Sequence, residues 1–126
     1  MRKVVPLHDG LRALYPQAIV FAGVGSKPLA RELDRVRGLL GMPALKQNQS
    51  SLSIAVSRDG LAIWAQAPVL TLRPAQLAVV AVEEGVMDVT AVVSRATASF
   101  SVPLAVPAES SQIADRVLAA LAGAHA

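Results

Sequence analysis

The 126-residue chain has no cysteine. That excludes a disulfide framework, a thiol nucleophile and any thiolate metal site. Histidine is nearly as scarce: His8 and His125 are the only two, and each sits in a terminal segment. A metal site needs three or four ligands at matched spacing, and no His/Asp/Glu cluster has it. No metal or other cofactor is therefore expected. His8-Asp9 has the residue types of a triad fragment, but neighbours on a chain rarely converge on one reacting atom. Catalytic residues are expected to be absent, and the chain is read as a non-enzyme. Aromatic residues make up only 3%. Single-stranded nucleic acid is usually gripped by clustered cations together with stacking aromatics, so nucleic acid is an unexpected partner. Long apolar runs are also missing. A membrane-spanning helix needs about 18 or more apolar residues. The longest candidate is interrupted by Arg73-Pro74 and ended by Glu83-Glu84. No signal peptide is visible, because Pro6, His8, Asp9 and Arg12 break the region that should be apolar. The expected address is cytoplasmic, with peripheral attachment to a membrane surface as the alternative.

What is present is aliphatic. Hydrophobic residues make up 53% of the chain, and mean hydropathy is +0.48. For one small domain this excess points to a subunit or partner interface. Charge is uneven within the net +3. Residues 1–48 hold eight Lys/Arg and three Asp/Glu, whereas residues 49–126 hold four and six. The basic half suits an acidic partner, a lipid headgroup or simply solvent.

The clearest local signal is Ser51–Gln66. Leu52, Ile54 and Val56 share one face of a period-2 strand, and Ser51, Ser53, Ala55 and Ser57 the other. Asp59-Gly60 is read as a two-residue type I′ turn, which sets Val56 opposite Ile63 and Ala55 opposite Trp64. Trp64 then shares a face with Ala55 and Ser53, away from the apolar side. That face is a candidate interface, with Tyr15 of the N-terminal arm as its possible cover, and Trp64→Ala is expected to disturb association more than secondary structure.

Around the hairpin, residues 1–17 read as an irregular arm and Ala18–Ala22 as a short strand. Gly23–Ser26 reads as a turn. Leu29, Leu33, Val36 and Leu40 mark a helix over 27–40, with Ser26 as N-cap and Pro28 in its first turn. Arg31, Asp34, Arg35 and Arg37 fall on its polar side. Val69–Leu72 is an edge strand or strand break, since Pro68 and Pro74 flank it. Leu77–Val82 is apolar on both faces, as in a central strand. Val86–Val93 and Ala96–Val106 follow as strands. A last helix, about 110–122, starts at a cap on Ser110 or Ser111 and carries Ile113, Val117, Leu118 and Leu121 as one stripe; it should cover the Leu52/Ile54/Val56 face. Residues 123–126 are a tail.

Two places invite an anion. Gly23–Lys27 joins a strand to a helix, where free amides favour negative charge. Pro28 stands where a dinucleotide fingerprint needs glycine, and Ser26 precedes Lys27 where a Walker loop has Lys before Ser/Thr, so the motif matches neither. The contacts it would offer are Gly25, Ser26 and Lys27. Arg58 and Arg73 are the basic residues near the hairpin.

Three stretches resemble small bacterial pleckstrin-homology-like (PH-like) domains. These are Gly23–Leu40, with Leu33-Asp34-Arg35-Val36 and Gly38-Leu39-Leu40-Gly41, the hairpin Leu52–Trp64 around Asp59-Gly60-Leu61, and Leu72-Arg73-Pro74-Ala75-Gln76-Leu77. The resemblance spans residues 18–122 in short pieces. It implies an α+β fold: a strongly bent antiparallel sheet, a PH-like split barrel, closed by the C-terminal helix. It also implies a platform that binds lipid headgroups, peptides or proteins, with no catalytic residue to transfer. Relatives of that kind are often tethered to membrane helices, and this chain shows none. Val56-Ser57-Arg58-Asp59-Gly60-Leu61 is also similar to the first hairpin of Roadblock/LC7 domains, which are dimeric scaffolds. That fold needs a long helix after the hairpin, where Arg73-Pro74 and a valine-rich run stand here. The resulting expectation is a scaffold-like protein-binding module, self-associating or partnered, with anion or headgroup binding as the alternative.

Overall fold

The computed structural model describes residues 18–45 and 50–122. The expected N-terminal arm, including Tyr15, and the tail at 123–126 lie outside them. The elements in chain order are β1 (Ile19–Val24), α1 (Lys27–Leu39), β2 (Ser51–Ser57), β3 (Gly60–Trp64), β4 (Pro68–Leu72), β5 (Leu77–Glu83), β6 (Val86–Val93), β7 (Ala96–Pro103) and α2 (Ser110–Ala122). Short 3-10 turns at Pro74–Gln76 and Pro107–Glu109 lead into β5 and α2. The fold class is α+β. Four antiparallel strands form one sheet in the order β1-β2-β3-β4, and three form the other in the order β5-β6-β7. They do not close into a barrel.

The two sheets meet at β1 and β7. Leu104, just past β7, bridges Gly23, and Ala105 N donates to Ala22 O at 3.0 Å. Gly23 is a strand residue here, not part of a turn. A Cβ on it would lie 2.6 Å from Val102 Cγ1, so glycine is what lets β7 cross so closely. α1 packs against β7 and β4, and α2 packs against β5, β2 and β1. One core results. Ile54, Val56, Leu61, Ile63, Met87, Val89, Phe100 and Val102 from both sheets join Leu33 and Val36 of α1 and Ile113 and Val117 of α2. The helix 110–122 thus covers the Leu52/Ile54/Val56 face, as the apolar spacing requires. Leu118 departs from the expected stripe: it is 63% exposed.

The hairpin is shifted from the expected register. Ser57 pairs with Gly60 and Val56 with Leu61, so the turn residues are Arg58 and Asp59. A shift of two leaves every side chain on its expected face, but Trp64 faces Ser53 rather than Ala55. Gly60 belongs to β3 with φ of 120°, and a Cβ there would sit 2.0 Å from Leu72 O. The glycine therefore answers to the approach of β4 and not to a type I′ turn. The primed turn lies elsewhere: Glu84 and Gly85 take φ of 51° and 81° between β5 and β6.

Two further expectations are corrected. β5 is an outer strand of its sheet, not a central one. Arg37 is not on the polar side of α1 but 7% exposed. Its Nε and Nη2 donate to Pro43 O at 3.1 and 2.8 Å, and its Nη1 donates to Val69 O. Long side chains on a helix can reach sideways past their own face, and here two main-chain carbonyls hold the guanidinium. α1 begins as expected, with Leu29 N donating to Ser26 Oγ at 3.2 Å.

Candidate functional site

Ser53 and Trp64 are direct cross-strand partners on the outer face of the four-stranded sheet, and Ala55 lies in the adjoining pair with Ala62. Val20, Ala55 and Ala62 form a small second cluster against which Ala18 and Trp64 pack. The indole is half-buried, and its Nε1 is buried without a hydrogen-bond acceptor among the described residues. A buried unpaired donor costs about 1–3 kcal/mol.

The two candidate anion sites lie at opposite ends of that sheet. β1 ends where Val24 pairs with Ser51, and the Arg58-Asp59 turn follows Ser57 at the other end, about 20 Å away for strands of this length. At the Gly23–Lys27 end the Gly25 amide is engaged. Gly25 N donates to Ser50 O at 2.9 Å, and Ser26 supplies its hydroxyl and carbonyl to the first turn of α1. The groove beside them is lined by Leu29, Ala30, Leu33, Leu45, Leu52 and Val69. Such walls suit an apolar group more than a phosphate.

At the other end the fold gathers arginines that are distant in sequence. Leu61 pairs with Leu72, so Arg73 leaves β4 beside the Arg58-Asp59-Gly60 turn. In the second sheet Leu77 pairs with Ala91 and Val93 with Ala96, which sets the Ser94-Arg95 turn at the same end as the start of β5. The Pro74–Gln76 turn joins the sheets there and packs on β6. Arg58, Arg73 and Arg95 are all exposed, with Asp59 among them. Residue spacing did not single out Arg95, because only the pairing of β6 with β5 brings it to this end.

The least expected surface is β5. Its side chains alternate between half-buried and exposed, and Val79 is 50% exposed. Val80 and Val82 pack inward against the core, while Ala78, Val79, Ala81 and Glu83 face out. The signal was present in the sequence as an apolar strand with no internal lysine or proline. Among the described residues there is no group of three or more His, Asp or Glu that could hold a metal ion, and no helix is long and apolar enough to cross a membrane.

The class these features define is a two-sheet α+β domain whose distinctive surfaces are an apolar strand edge, a half-buried indole and an arginine-bearing end. No protein-family model matches the chain, and no curated protein is similar to it in sequence.

Proposed function

We propose that this chain is a non-enzymatic binding and assembly module, working by protein–protein association with itself or a partner on a PH-like scaffold. The observation that carries the reading is β5, an outer strand of seven residues in which only Glu83 is polar and whose outward side chains include the half-exposed Val79. Apolar strand edges invite pairing with another chain unless they are covered or charged. Trp64, half-buried beside the buried Ser53 and Ala55, is a second candidate contact. A Roadblock/LC7-like reading leads to the same kind of role, that of a dimeric scaffold. The segment after the hairpin, however, forms β4 and β5 in place of the helix that fold needs. Light scattering on a sizing column, with pull-down, tests the proposal: a mass above 13.1 kDa or a recovered partner is expected. A clean monomer at high concentration with no partner would sink it.

A second reading, binding of an anion or lipid headgroup, is favoured by Arg58 and Arg73 falling at the same end of the four-stranded sheet. On that reading the protein sediments with anionic vesicles, and Arg58→Glu with Arg73→Glu abolishes the effect. An attachment of this kind weakens as salt rises, so salt-insensitive sedimentation would speak against it.

A further inference from the structure

β5 carries opposite charge at its two ends. Arg73 lies just before the Pro74–Gln76 turn that leads into it, with Arg95 at the same end of the sheet, and it finishes at Glu83, followed by Glu84. All four are exposed. Between them runs an apolar edge, and the register shift between Leu77 and Val79 leaves Val79–Glu83 as its regular part. Among the described residues no strand pairs with the outer side of β5.

We propose that β5 pairs antiparallel with β5 of a second copy, across a two-fold axis at Ala81, so that two three-stranded sheets become one. This rests on the association reading above and names its partner. A charge gradient along a strand is complementary to itself only when the strand is reversed. In the antiparallel pair the Glu83-Glu84 end of each copy meets the Arg73 end of the other, twice by symmetry. A parallel pair would set like charges together at both ends. With Ala81 opposite Ala81, Val80 of each copy lies opposite Val82 of the other, so apolar side chains meet across the new ladder. The exchange satisfies the free N–H and C=O groups of both edges.

The chain lacks cysteine, which permits a direct test. Ala81→Cys under mild oxidation should form a disulfide-linked dimer, because residues facing each other across an antiparallel pair lie within reach of a disulfide. Thr97→Cys, exposed on β7, should not. By light scattering the wild-type protein should have twice the 13.1 kDa chain mass. Ala81→Lys should raise the dimer dissociation constant about a hundredfold with an unchanged circular dichroism spectrum. Arg73→Glu should weaken the dimer, and Glu83→Arg with Glu84→Arg in the same chain should restore it. A wild-type monomer at about 1 mM overturns the pairing. So does a dimer that Ala81→Lys leaves intact, although the association reading then survives with another interface. If Ala81→Lys fails to fold, the cysteine pair decides: equal cross-linking at 81 and 97, or none at 81, overturns the proposal.

Discussion

Two of the outer strands of this domain, β4 and β5, are built differently. β4 runs five residues, starts at Pro68, and shifts register against β3 between Ile63 and Trp64. Arg37 reaches across from α1 to the carbonyl of Val69. Proline, a bulge and an inward-pointing cation are the usual means of closing an edge to further pairing. β5 has a register shift only at its first residues, and its outward side chains are alanine, valine and one glutamate. α2 packs on β5, but Val79 remains half exposed. One edge is closed with several devices and the other is left apolar. The difference teaches that an apolar, open edge is a property of β5 that β4 does not share.

The comparison can be broken from the β4 side first. Gly60→Ala places a methyl on the Leu72 carbonyl at a backbone angle that disfavours a side chain. We expect a loss of about 3 kcal/mol or more, read as a lower midpoint in urea with the slope unchanged. Arg37→Met keeps the apolar stem and removes the donors to Pro43 and Val69. It should cost about 2–3 kcal/mol and speed hydrogen exchange at the Val69–Thr71 amides. An unchanged exchange rate would mean that the guanidinium does not hold β4. Arg37→Lys should rescue this only in part, because an ammonium cannot span both carbonyls as the planar fork does.

On the β5 side the expected stability effects are smaller. Ser110→Ala removes the hydroxyl that accepts from Gly85 N at 2.6 Å and so frees the β5–β6 turn from α2. About 1 kcal/mol should be lost, measured by thermal unfolding at a fixed protein concentration. Val79→Lys, on an exposed outward position, should change monomer stability by no more than about 0.5 kcal/mol while reducing association. A large loss of stability there would make β5 part of the domain's own packing and erase the contrast with β4.

Local pattern carried much of the fold. The alternation of Ala98, Phe100, Val102 and Leu104 marked β7 because a half-buried strand leaves a period of two. The helical spacing of Leu29, Leu33 and Val36 did the same for α1. The Trp64 face was legible because parity along a strand survives a register error of two. The register itself was not, because Asp59-Gly60 is equally compatible with a type I′ turn and with a turn at Arg58-Asp59 followed by a glycine in the strand. Leu72 decides between them, and it is distant in sequence from the hairpin. Likewise an apolar strand reads the same whether another strand of its own chain or only solvent lies beyond it, so β5 was legible as a strand and not as an edge.

From the sequence alone came the element types, the apolar faces and the expectation of no thiol or metal chemistry. These follow from short-range rules: backbone geometry, side-chain periodicity and the residue types available. Tertiary structure alone decided which strands lie outermost, that Arg37 turns inward, and that Arg58, Arg73 and Arg95 share one end. Each of those depends on pairings between residues far apart in the chain, and no local pattern records which distant carbonyl, strand or turn will arrive beside it.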